Sequence, residues 1–381
     1  VPQAMLEKAE SQIALNHTDD ALATYRLLIK KYPSTRPGRN GALQLAITLM
    51  SAGRRGDAVK AYKNVIKAYP TSQEAVVASD DLKRILSDDG KLKEYVAFIN
   101  SVPSAPKLEA SEMDELTFAS AEKSYLAGGS VQRLVEYIEE YPGGAKEPQA
   151  LGYLASAFYE AQDYDKAYDY ASRLVTRYPD AEEAEEALAI KGDVEWMNGR
   201  GNEALASFTA LAEKASASRN VLIARLGIMR VARDMGRNEK VLEMADAILA
   251  SSNGGNAQRN EVVYSRGLAL SNLGKTDDAA KVWDSLSGDL NDVYGVQAAF
   301  RSAQLQVDSK QYKSARRSLQ KIIDSNTPHQ YWLARAYILL SDVYRAQGNT
   351  FEANEYLKSL RDNYPGTESD IFEMINERLD Q

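Results

Sequence analysis

The chain has 381 residues, is 44% hydrophobic and 26% charged, and carries a formal net charge of −8. It has no cysteine, which removes disulfides, thiolate nucleophiles and Cys-type zinc sites together. It also has no run of about 18 apolar residues, the length a membrane-spanning helix needs. A core of ordinary size is therefore within reach, in one repeat array or in several domains.

Apolar residues at three- and four-residue spacing predict ten helical hairpins in chain order, near 4–33, 39–70, 72–103, 112–142, 147–179, 181–216, 217–252, 256–288, 290–327 and 328–365. A last amphipathic segment, Ser369–Leu379, puts Ile371, Phe372, Ile375 and Leu379 on one face and reads as a capping helix for the open end of a stack. No comparable polar cap precedes the first hairpin, and Val1 is neither a Met nor the start of a signal-like apolar stretch. The expectation is a processed or excised chain, from an array that continues upstream.

The hairpins share a register. Tyr-Pro closes the second helix at Tyr32-Pro33, Tyr69-Pro70, Tyr141-Pro142, Tyr178-Pro179 and Tyr364-Pro365, with prolines 37, 72, 37 and 186 residues apart. Those gaps are one, two, one and five units of about 36 to 37, the signature of stacked supersecondary units. Proline ends a helix because it has no N–H for the ladder. Glycines such as Gly53, Gly199, Gly274 and Gly348 mark the turn between the two helices. Small residues fall where helices must approach closely, at Ala58, Ala167, Ala204, Ala279, Ala315 and Ala353.

The register weakens twice. The stretch 101–111, with Pro103 and Pro106, reads as a longer connection and divides the chain into hairpins 1–104 and 105–381. Ser251-Ser252-Asn253-Gly254-Gly255 reads as a flexible turn too short to link domains.

This pattern resembles the tetratricopeptide repeat, whose small-residue positions match the six alanines above. The resemblance covers nearly the whole chain, though the units exceed the usual 34 residues. It implies an all-α fold, a right-handed α-α superhelix of about ten hairpins plus the capping helix. The Tyr-Pro endings look like those of bacterial cell-envelope repeat proteins, such as the outer-membrane assembly lipoprotein and the Tol-Pal coordinator. The segment 95–142 looks like large repeat proteins of Bacteroidota. That implies an interaction scaffold in the periplasm or at the outer membrane, with the cytoplasm as the alternative place. Two further readings are a helical accessory region of a larger envelope enzyme and a glycan-binding helper. The second of these rests on the aromatic content alone.

No catalytic constellation is expected, and no metal or cofactor. The two histidines, His17 and His329, read as turn residues at helix ends. No HExxH, GxxxxGK[ST] or GxSxG occurs. Ala127-Gly128-Gly129-Ser130 fits a hairpin turn, and the acids of 180–186 suit a helix N-terminus. Residues 1–110 carry 16 Lys+Arg against 12 Asp+Glu, while the remainder carries 30 against 42. The basic stretch 30–67 reads as a solvated face and not as a nucleic-acid site, because the acidic bulk repels a polyanion.

In the resembled family the first helix of each hairpin lines the concave surface. By register, the partner-binding positions implied here are Tyr153, Tyr159, Trp196, Arg230, Arg233, Tyr264, Phe300 and Arg301, with Asp193, Arg335 and Arg345 on the same face. Aromatic and Arg residues are the usual anchors of interfaces. The Lys and Asn set that some family members place against a C-terminal carboxylate is not found. The partner expected is a protein or peptide segment.

Overall fold

A computed structural model describes residues 1–105, 107–251 and 255–380. Pro106 and the centre of the turn at 252–254 lie outside the described residues. Among the described residues there are 21 α-helices and no strand. They group into two compact units, Val1–Gln162 and Asp163–Gln381.

The first unit holds α1 (Pro2–Ala14), α2 (Thr18–Lys31), α3 (Arg36–Ser51), α4 (Arg55–Ala68), α5 (Gln73–Asp88), α6 (Leu92–Asn100), α7 (Ala110–Leu126), α8 (Gln132–Glu140) and α9 (Glu147–Glu160). The second holds α10 (Tyr164–Arg177), α11 (Ala184–Met197), α12 (Gly201–Lys214), α13 (Ser218–Asp234), α14 (Asn238–Leu249), α15 (Asn256–Asn272), α16 (Thr276–Asp284), α17 (Val293–Asp308), α18 (Tyr312–Ile323), α19 (Gln330–Ala346), α20 (Thr350–Asn363) and α21 (Ser369–Leu379). Within each unit every substantial helix contact is with a neighbour one or two places along the chain. This is the hairpin-on-hairpin order of an α-solenoid. The connection around Pro103 lies inside the first unit, between α6 and α7.

One backbone device sets the period. Within each unit a residue with positive φ stands between the two helices of every hairpin, at Asn16, Gly53, Gly90, Gly128, Gly199, Gly236, Gly274, Lys310 and Gly348, and Gln162 after α9 has positive φ as well. The left-handed conformation ends the first helix and turns the chain back. Seven of these are glycine, which adopts it without steric cost. The other end of the hairpin closes at the tyrosine C-caps of α2, α4, α8, α10 and α20. Where the next helix starts, side chains often cap it: Thr35 Oγ1 accepts from the Gly38 amide at 3.1 Å, and Ser72 Oγ from Ala75 at 3.1 Å.

The small-residue register is realised. Ala58, Ala167, Ala204, Ala279, Ala315 and Ala353 are all fully buried. Large rings fill the space opposite glycines. Phe208 of α12 lies across Gly192 of α11 and Gly227 of α13, where added Cβ atoms would stand 3.0 and 2.5 Å from the ring. Trp283 of α16 lies against Gly267 of α15, and its Nε1 donates to the Tyr264 carbonyl at 3.1 Å. Burying one such ring contributes about 3 kcal/mol. In the first unit Leu22, Leu49, Tyr62, Leu82, Tyr95 and Ile99 run through one core. At the chain end α21 buries Ile371 and Ile375 against Ala334, Ile338 and Leu357.

Candidate interaction face

In the second unit α11, α13, α15, α17 and α19 lie side by side, each touching the next first helix along. This juxtaposition presents one face built from helices that are remote in sequence. Trp196 near the end of α11 is half-buried. It packs against the cluster formed by Ala204, Phe208, Ile228 and Val231, and its Nε1 donates to Asp234 Oδ2 of α13 at 2.8 Å. The indole is thus fixed in place while part of it stays in water. Met197 beside it is exposed.

One turn before Asp234, Arg230 holds Glu261 of α15 in a two-pronged pair, Nε to Oε1 at 2.7 Å and Nη2 to Oε2 at 2.6 Å. Arg233 donates to Ser265 Oγ at 3.1 Å and stands 3.7 Å from Glu261 Oε1. Glu261 is buried, so removing one partner of the pair would strand a desolvated charge and be costly. The hydrogen bond to Glu261 raises the Arg230 pKa further above its ordinary value. Burial, and then the Glu261 charge, push the Tyr294 phenol of α17 upward.

The expected anchors divide by burial. Tyr264 is 6% exposed and Phe300 is 2% exposed. Tyr264 lies 5.7 Å from the Tyr294 ring and 6.3 Å from Trp283. Phe300 lies 5.5 Å from Trp332, with the Arg335 guanidinium 5.3 Å over its ring. Both rings are spent inside the stack, so the anchor role expected for them gives way to packing. Arg301 is half-buried, and its Nε is enclosed without an acceptor among the described residues. Asp193 and Arg345 are half-buried on the same row of helices.

Tyr153 and Tyr159 of α9 are half-buried in the first unit. Tyr153 donates to Glu122 Oε1 at 2.8 Å and lies 5.3 Å from the Tyr125 ring. The structure therefore brings together Trp196, Arg230, Arg233, Tyr264, Phe300 and Arg301 in one unit, and places the two α9 tyrosines in the other. Asp234, Glu261 and Ser265, which hold the second-unit residues in position, were not foreseen.

The first unit has its own cleft of about 490 Å³ where α6, α7 and α8 meet. Arg133 crosses it to the carbonyls of Asp88 and Asp89, at 3.4 and 3.2 Å, capping the end of α5. Lys93 of α6 pairs with Glu140 of α8 at 2.9 Å. Below them Asp114 accepts from the Tyr137 hydroxyl and from the Ala145 amide. These groups satisfy one another and tie the hairpins together.

His17 stands at the N-terminal cap position of α2, its ring 3.7 Å from Asp20, and His329 Nε2 contacts the Asn291 carbonyl at 2.9 Å. Among the described residues no group of three or more His, Cys, Asp or Glu side chains could hold a metal ion, and no helix is long and apolar enough to cross a membrane.

A tetratricopeptide repeat family model matches residues 3–35, 42–72, 149–181 and 330–367. The chain carries tetratricopeptide repeats at those four places, a repeat class whose usual work is protein–protein interaction. Similar solved structures include the P58(IPK) TPR domain, 15% identical, covering 100% of this chain and 96% of that chain at a TM-score of 0.29. A human IFIT1 dimer with PPP-AAAA is 14% identical over 93% of this chain and 82% of that one, at 0.42. A tetratricopeptide repeat protein from Parabacteroides merdae is 13% identical over 74% and 91%, at 0.27. Likeness at these TM-scores carries no functional weight. No curated protein matches the chain.

Proposed function

We propose that this chain is a non-catalytic interaction scaffold of the bacterial cell envelope, and that it holds a protein segment on the first-helix face of its second unit. Support for the scaffold role comes from the repeats and from one local observation. The Trp196 indole is partly exposed yet pinned by Asp234, with Arg233 beside it. A rigid aromatic next to a positioned guanidinium binds with little loss of conformational entropy. The envelope assignment rests on the Tyr-Pro repeat ends and their resemblance to envelope repeat proteins.

The test is site-specific photocrosslinking. A photoreactive residue replaces the exposed Met197, and crosslinked products from cell-envelope extract are identified by mass spectrometry. One defined partner is expected, and its yield should collapse when Trp196→Ala or Arg233→Ala is added. Products that survive both substitutions unchanged would remove this face as the binding site. A partner recovered only from cytoplasmic extract would remove the envelope assignment.

A further inference from the structure

The last hairpin contains a small pocket outside the interaction face, between α19 and α20, with a volume of about 140 Å³. Typical drug-sized ligand sites occupy about 300–1,000 Å³, so this one has room for a single ring. Its aromatic lining comes from Tyr337, Tyr356 and Tyr364, all half-buried. Tyr356 lies 6.1 Å from the Tyr337 ring and is stacked 5.4 Å from Tyr344. Tyr364 is fixed by an edge contact to Phe372 at 5.8 Å and by its hydroxyl bond to Glu368 at 2.8 Å. The rings are therefore held before any ligand arrives.

Gln330, Ser359 and Asn363 supply the polar lining. Gln330 Nε2 and Asn363 Nδ2 each donate to a backbone carbonyl, which orients both amides. That leaves the two amide oxygens, together with the Ser359 and Tyr337 hydroxyls, without partners among the described residues. No charged side chain lines the pocket, in a chain that is 26% charged.

We infer that this pocket binds one neutral sugar residue, a hexopyranose unit free or within a glycan. A pyranose has an apolar C–H face that lies on an aromatic ring. Its hydroxyl rim can satisfy amide oxygens and hydroxyls together. An apolar peptide side chain of the same size would cover those polar atoms without bonding them, which is unfavourable. A charged ligand would lose its hydration without gaining a counter-charge. The inference is independent of the scaffold reading, since the pocket shares no residue with the Trp196 face.

The test uses glucose, N-acetylglucosamine and their β-linked tetramers as probes, with a capped Gly-Leu-Gly peptide as competitor. Binding is followed by saturation-transfer difference NMR on the whole chain. At least one sugar should receive saturation, strongest at the C–H protons of one residue. Asn363→Ala, at an exposed helix end, and Tyr337→Phe, which keeps the ring, should each weaken that sugar by about tenfold, the equivalent of one hydrogen bond. The inference falls if no probe is saturated, if both variants bind the sugar as the parent does, or if the leucyl peptide displaces it.

Discussion

Trp196 and Trp283 separate display from packing. Trp283 is 1% exposed, sits on Gly267 and hydrogen-bonds a backbone carbonyl. Trp283→Ala should lower unfolding free energy by about 3–5 kcal/mol. Trp196→Ala should cost only about 1 kcal/mol, since its ring is only partly buried. Urea unfolding followed by circular dichroism measures both. Equal losses would mean that Trp196 is core, and the binding face would lose its main residue. The three non-glycine turn residues offer a second comparison. Lys310 has a φ of 57°, where a side chain is strained, and Asn16 has a φ of 61°, where asparagine is better tolerated. Lys310→Gly should raise stability by about 0.5–1 kcal/mol, and Asn16→Gly by less. A lower melting temperature for Lys310→Gly would show that the Lys310 side chain contributes something the backbone does not.

At the scale of elements, hairpins adhere in two ways. Most second helices run twelve to fourteen residues, but α6 and α8 in the first unit and α16 in the second have only nine. Where they fall short, α6 touches α7 over a small area, and polar straps take over: Lys83–Glu112 at 2.9 Å, Lys123–Asp88 at 2.9 Å and Lys93–Glu140 at 2.9 Å. Partly exposed ion pairs are screened by salt, whereas apolar packing is not. Amide exchange in α7 and α8 should be faster than in α3 and α4, and the gap should widen in high salt. Exchange that ignores salt would mean the straps are ornamental. The α13–α15 joint is different, because Glu261 is buried. Glu261→Ala should cost about 3 kcal/mol by stranding Arg230. The helices, their small-residue faces and most turns were legible in the sequence because period and glycine are local signals. Asn16, Gln162 and Lys310 were not legible as turn formers, since nothing in their residue type announces positive φ. Trp196 and Tyr264 look alike by register. What parts them is burial, since Trp196 is only partly covered while Tyr264 is enclosed beside the Trp283 and Tyr294 rings. Asp234 and Glu261 became site residues only through helices that meet about one repeat away.

At the scale of the whole molecule, the numerous tyrosines set the alkaline limit. Tyr62 and Tyr137 have raised pKa values, first because burial disfavours the phenolate, then through the charge and hydrogen bond of Asp81 for Tyr62 and the hydrogen bond and charge of Asp114 for Tyr137. An unperturbed tyrosine ionises near 10.0. Their contribution is therefore complete below that pH and is lost as pH rises towards the folded values. Melting temperature should be level from about pH 7 to 9 and fall above about pH 10, with tyrosinate absorbance rising in step with loss of helix. Early absorbance change without unfolding would show that these phenols ionise in place. The hairpins also carry a mechanical consequence. Each helix leans only on neighbours one or two places away, so no distant contact locks the ends of a unit to its middle. Stretched by its termini, such a chain should pay out like a ratchet, in a sawtooth of small forces. Each tooth should release about 37 residues, roughly 120–130 Å of contour. A scaffold of this kind yields under tension one notch at a time and rewinds when the load is removed.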